Sequence, residues 1–169
     1  MTTVKIKNIP TQLSGVLVAK GSHLPFVNFT TQSLEDQSLK NYQGQKLILW
    51  FVPSLDTGVC LMSAKKLNEQ IKKHPGTHAL IFSMDLPFAQ KRVCGLENLD
   101  HVSTVSCFRH PETLEKLGLK IIEGPLKGLS ARAVIVLDTH QNVTYLELVD
   151  EITHEPDYKS LVHHLEHPH

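Results

Sequence analysis

The chain has 169 residues, and its 17 lysines and arginines balance its 17 aspartates and glutamates, so no charge bias draws it to nucleic acid or to an acidic surface. No apolar run approaches the ~20 residues that cross a bilayer, and nothing near the N-terminus resembles a secretory apolar core. Three cysteines are too few and too odd a number for a disulfide scaffold, so the composition predicts one soluble, cytoplasmic domain over residues 1–169 with reactive rather than structural cysteines.

In chain order, residues 3–9 and 14–20 alternate apolar and polar around Pro10 and Gly15, which predicts an N-terminal β-hairpin. A strand is expected over Pro25 to Thr31, and a short helix over Ser38 to Tyr42, stopped by Gly44. The apolar run 46–52 reads as a buried strand and leads into F-V-P-S-L-D-T-G-V-C, Phe51 to Cys60. Ala64, Leu67, Asn68 and Ile71 recur at helical spacing and predict a helix over 58–73. A strand at 78–84 follows the Pro75-Gly76 turn, and Asp85 is expected to cap a short helix with Pro87 in its first turn, ending by Gly95. Next come a strand from Val102 to Cys107 and a helix from His110 to Leu117, closed by Gly118. A loop containing Gly124, Pro125 and Gly128 precedes strand Ala133 to Leu137, which forms a hairpin with Val143 to Val149. Glu155 or Asp157 opens a last helix to Leu165. Strands that alternate with helices imply a central sheet covered on both faces.

Cys60 lies where a strand turns into a helix. A cysteine in a first helical turn faces unpaired N–H groups and the positive end of the helix dipole, and both favour thiolate. A free cysteine is only ~3% thiolate at pH 7, whereas a pKa of ~6 would give ~90%. The difference is ~3.4 kcal/mol, and a dipole supplies about 1, so a cation must come from elsewhere in the chain. Thr57 can cap the helix or turn its hydroxyl towards the sulfur. Pro53 fixes the backbone where it leaves the strand. By position alone Cys60 divides evenly between a reactive thiol and a small buried hydrophobe.

The pattern P-x-x-x-T-x-x-C, filled here by P-S-L-D-T-G-V-C, resembles the peroxidatic site of peroxiredoxins, and its fuller form is similar to their thiol peroxidase branch. The resemblance extends to D-L-P-F-A-Q-K-R-V-C at Asp85 to Cys94, G-P-L-K-G-L-S-A-R-A-V at Gly124 to Val134 and D-E-I-T-H-E-P-D-Y at Asp150 to Tyr158. It implies a thioredoxin-like α/β sandwich, a central mixed sheet flanked by helices with the N-terminal hairpin added. It also implies an enzyme that reduces hydrogen peroxide or organic hydroperoxides without metal, haem or flavin. Cys60 would be the nucleophile that becomes a sulfenic acid. Cys94 would be the resolving thiol that closes an intramolecular disulfide, and thioredoxin the reductant that reopens it. Arg132, in S-A-R-A-V-I-V, is placed by the resemblance beside the sulfur as the missing cation; residues alone would not have singled it out, and Arg92 and Arg109 are its rivals. A homodimer is implied as well.

Cys94 ends a short helix where fraying costs little, so an oxidised form would need local unwinding there and after Thr57 to bring the sulfurs about 2 Å apart. Cys107, in V-S-T-V-S-C-F, matches no motif and reads as a buried structural thiol. His163, His164, His167 and His169 crowd the C-terminus, but no cysteine or carboxylate cluster at ligand spacing accompanies them, so no metal is predicted. Two rival functions remain. A disulfide reductase would need the C-x-x-C that is absent, and a peroxide sensor would react once without turnover.

Overall fold

The computed structural model describes residues 2–56, 59–94 and 99–167, and for residues 59, 60, 61 and 94 the backbone alone. The hairpin forms from β1 (Thr3–Ile6) and β2 (Ile9–Gln12), paired antiparallel with Ile6 opposite Ile9. It is tighter than the alternation predicted. Lys7 and Asn8 both adopt left-handed backbone, φ 50 and 68, which closes a two-residue turn of the kind that matches strand twist. Pro10 therefore lies inside β2 opposite Lys5, and most of 14–20 runs as irregular chain.

The remaining strands form one seven-stranded sheet. They are β3 (Asn28–Thr30), β4 (Asp36–Ser38), β5 (Lys46–Phe51), β6 (Thr77–Ser83), β7 (Val102–Ser106), β8 (Ala133–Leu137) and β9 (Val143–Leu148), in the order β4-β3-β7-β6-β5-β8-β9. β5, β6 and β7 are parallel, and β3, β4, β8 and β9 run antiparallel to their neighbours, so the sheet is mixed. β4 had no sequence signal: Asp36, Gln37 and Ser38 are polar, and β3 alone recruits them to the sheet edge. The same Ser38 caps the 3-10 turn Leu39–Tyr42 through its hydroxyl.

The central strands read as unbroken apolar runs because both faces are covered. On β5, Leu47, Leu49 and Phe51 enter one core and Ile48, Trp50 and the following Val52 the other. The second core holds helix α1 (Val59–Ile71) through Ala64, Leu67 and Ile71, and helix α4 (Tyr158–Glu166) through Leu161. Helix α3 (Pro111–Leu117) packs on the first core through Leu114 and Leu117. Its stop, Gly118, has φ 76, and a side chain there would sit 2.5 Å from the carbonyl oxygen of Val16, so only glycine suits the position. Helix α2 (Pro87–Cys94) lies between β6 and β7 in sequence. Asp157 caps α4, accepting from the Ser160 N–H at 3.1 Å.

Candidate active site

Because β5 and β6 are parallel, the chain leaves both strands at the same edge of the sheet, and both following helices start there. After Phe51 come Val52 and the buried Pro53, then Ser54 and Leu55. Leu55 is 1% exposed and packs into the α1 core, which pins the loop against the sheet. Thr57 and Gly58 lie outside the described residues. Cys60 stands in the first turn of α1, as its spacing required, and Cys94 is the last residue of α2; their side chains lie outside the description.

Arg132 directly precedes β8, whose Ala133 pairs with Phe51. The register therefore brings residue 132 level with Val52, at the mouth of the loop. Its half-buried side chain lines a narrow void with Trp50, Val52, Ser63, Ala64, Leu67 and Ile81. Ser63 lies three residues beyond Cys60, one helical turn on. The arginine is held on several sides. Its carbonyl accepts from Val149 N–H at 3.0 Å, and its Nε donates to the Ile152 carbonyl at 2.9 Å. Just upstream, Ala131 N–H donates to Leu119 O at 2.8 Å.

The rivals are placed elsewhere. Arg109 contacts Asp36 at 3.3 Å and lies 5.2 Å over the Phe108 ring, and Arg92 is exposed on α2. Asp36 also receives His110, whose hydrogen bond is the main reason its carboxyl titrates below the usual range, helped by Thr30.

Two contributors have roles that the sequence reading did not give them. The first is the D-E-I-T segment. Glu151 accepts from Asn8 N–H at 2.7 Å, Lys7 N–H at 3.3 Å and Thr153 N–H at 3.1 Å. These bonds, Asn8 foremost, bring its pKa down to about 2. The next residue supplies the carbonyl that holds Arg132, so one short stretch fastens both the hairpin and the guanidinium. The second is Asp85. Expected to cap α2, it turns its carboxylate the other way, towards the loop before Cys60. Its Oδ1 accepts from Ser54 Oγ at 2.8 Å and its Oδ2 from Leu55 N–H at 2.7 Å. Leu86 stands between Asp85 and Pro87, the first residue of α2, so Asp85 lies one position short of the cap and its carboxylate serves the donors of the loop instead.

Cys107 is fully buried behind β7. Burial, with a smaller push from Glu112, raises its pKa to about 12, which leaves it a neutral thiol. Among the described residues no group of three or more His, Cys, Asp or Glu side chains is placed to hold a metal ion, and no helix is long and apolar enough to cross a membrane.

With this arrangement in place, comparison with known proteins is direct. The Redoxin family model matches residues 19–162. A thiol peroxidase of Leptospira interrogans is 43% identical over 164 residues, 96% of either chain. The chain belongs to the redoxins, in their thiol peroxidase branch. It is accordingly an enzyme, a peroxidase of the peroxiredoxin type. The crystal structure of a peroxiredoxin-like protein from Aquifex aeolicus superimposes with a TM-score of 0.89 at 39% identity, over 97% of this chain and 95% of that one. A thiol peroxidase from Chromobacterium violaceum shares the fold, with a TM-score of 0.87 at 20% identity over 97% and 95% of the two chains. The thioredoxin-like sandwich that the four motifs implied is the fold observed.

Proposed function

We propose that this peroxidase reduces hydrogen peroxide and small organic hydroperoxides through Cys60, with Cys94 as its resolving partner. The observation that carries the reading is the placement of Arg132 beside Ser63 of α1, one turn beyond Cys60, at one edge of the sheet. The thiolate of Cys60 attacks the terminal peroxide oxygen, the O–O bond breaks, and water or an alcohol leaves once protonated; the sulfur becomes a sulfenic acid. The Arg132 guanidinium, always charged and planar, stabilises the thiolate and then the oxygen that takes up negative charge. The Thr57 hydroxyl orients the peroxide, and Pro53, buried at the strand end, keeps water from the sulfur. The Cys94 thiol then condenses with the sulfenic acid, forming the S–S bond and releasing water. A dithiol reductant of the thioredoxin class reopens the bond by exchange. The chemistry uses only thiols and peroxide, with no resident cofactor.

A reducing compartment such as the cytoplasm suits an enzyme whose cysteines must return to thiols. We read the working form as a single-domain protomer in a homodimer. Leu86 at 51% and Phe88 at 70% exposure stand at the start of α2, and Met62 at 61% in α1; apolar groups this open commonly mark an interaction surface.

The test is a thiol count with peptide mapping after one equivalent of hydrogen peroxide. A disulfide joining Cys60 to Cys94 with Cys107 free is the expected result. Cys60→Ser should abolish peroxide consumption, whereas Cys94→Ser should complete one turnover and leave a trappable sulfenic acid. An active Cys60→Ser protein would end the proposal.

A further inference from the structure

Asp85 ties the loop before Cys60 to the end of β6 and, through Ser83, to the helix that ends in Cys94. Its Oδ1 accepts from Ser54 Oγ at 2.8 Å, and its Oδ2 from both Leu55 N–H at 2.7 Å and Ser83 Oγ at 2.8 Å. Its own carbonyl accepts from Ser106 Oγ at 2.5 Å. The Ser83 hydroxyl also accepts from Gln90 Nε2 at 3.1 Å, and that amide donates to the Val105 carbonyl at 2.7 Å. Ser83, Gln90 and Ser106 are wholly buried. The loop that delivers Cys60 and the end of β6 therefore share one carboxylate, and the middle of α2, which ends in Cys94, joins them through the Ser83 hydroxyl.

Bonds to a carboxylate are about twice as strong as those between neutral groups, and a buried donor left without its acceptor costs more still. The Asp85 carboxylate, with the packing of Leu55, ties the loop to the end of β6 and, through Ser83, to α2. Any movement that carries Cys60 and Cys94 to bonding distance draws on these two segments. It must lengthen or break the bonds at Asp85, or pull against them.

We infer that Asp85 is a positioning residue that latches the Cys60 loop to the Cys94 helix, and that the strength of this latch decides the fate of the Cys60 sulfenic acid. The inference rests on the roles given to Cys60 and Cys94 above. The sulfenic acid has two exits. With the latch released, the Cys94 thiol attacks it, forming the disulfide and expelling water. With the latch closed, a second hydroperoxide transfers one oxygen to sulfur, giving a sulfinic acid and leaving as water or alcohol, an end point that ordinary dithiols do not reverse. Closed chains thus present Cys60 well to peroxide but leave its sulfenic acid exposed to over-oxidation.

Full-length wild-type, Asp85→Asn and Ser54→Ala proteins would be cycled with thioredoxin and its reductase over a series of hydrogen peroxide doses. The sulfinic fraction at Cys60 would be read by mass spectrometry, with thermal melts recorded alongside. Asp85→Asn keeps the shape but puts an amide where one acceptor oxygen stood. It should raise the dose for half-conversion to sulfinic acid about tenfold, equivalent to ~1.4 kcal/mol. Ser54→Ala removes the hydroxyl's bond to Asp85 and the one it accepts from Asp56 N–H, leaves Leu55 N–H on the carboxylate, and should shift the dose the same way by a smaller factor. If Asp85→Asn does not fold, Ser54→Ala decides by itself. Folded variants that over-oxidise at the wild-type dose, or at a lower one, would overturn the latch. A wild-type chain that never forms the Cys60–Cys94 disulfide would instead overturn the peroxidase roles beneath it.

Discussion

Arg132 is ordinary in composition and special in placement. A lysine there would keep the charge, but it has no Nε to give to the Ile152 carbonyl and no planar fork for a peroxide. Arg132→Lys should therefore lower the second-order rate with hydrogen peroxide by about 100-fold, the usual size for losing one aligned donor. The pH profile of Cys60 alkylation should move up in Arg132→Ala instead, where the thiolate loses its charged partner. Cys107 is the contrasting case. With its pKa at about 12 and its side chain fully covered, it should resist iodoacetamide at neutral pH until the chain is unfolded, and Cys107→Ser should leave turnover unchanged. Residue type alone did not separate Arg132 from Arg92 or Arg109. What separates them is the antiparallel pairing of β8 on β5, a contact between positions about eighty residues apart. Burial of Cys107, by contrast, was expected from its place in the strand V-S-T-V-S-C-F and from its match to no motif.

The elements most legible beforehand were those with strong periodicity or a proline or glycine boundary: β5, α1, β6, α3 with its Gly118 stop, and β8. The N-terminal hairpin was legible in kind but not in register, since its turn is made by Lys7 and Asn8 rather than by a glycine or proline. It is fastened instead by Glu151, from the far end of the chain. That anchor has a definite pH dependence. Glu151 titrates at about 2 when folded against an ordinary 4.5. A depressed carboxyl contributes its stability in full above 4.5 and loses it as the pH falls from there towards 2. Protection of the Lys7 and Asn8 amides, relative to the free-chain rate at each pH, should fall over that window while protection in β5 and β6 does not. Glu151→Gln should show fast exchange at those two amides even at neutral pH.

At the scale of the whole molecule, zero formal charge leaves no long-range field to gather a charged substrate, which suits an uncharged one such as a hydroperoxide. The exposed side chains of Leu86 and Phe88 stand near the edge where Cys60 and Arg132 lie, so an assembly formed there would border the site. Sedimentation should give a homodimer. Phe88→Arg should shift it towards monomer, since burying an unpaired charge in an apolar interface is unfavourable, while the thermal melt of each protomer changes little. A chain that sediments as a monomer before the substitution would remove Phe88 from any such role.

The pairing of Ala133 with Phe51 also limits how this chain can change over generations. Insertions in the glycine-bearing turn 124–127 slide along the surface and are absorbed before the buried pairing of 129–131 begins. A single residue gained or lost within β8 ahead of its pairing is different. It would carry residue 132 about 3.3 Å along the sheet and turn its side chain to the opposite face, away from α1. Lineages of this protein should therefore vary freely in the length of that turn and keep the spacing from residue 132 to the end of β8 constant, a pattern to be sought in genomes rather than in crystals.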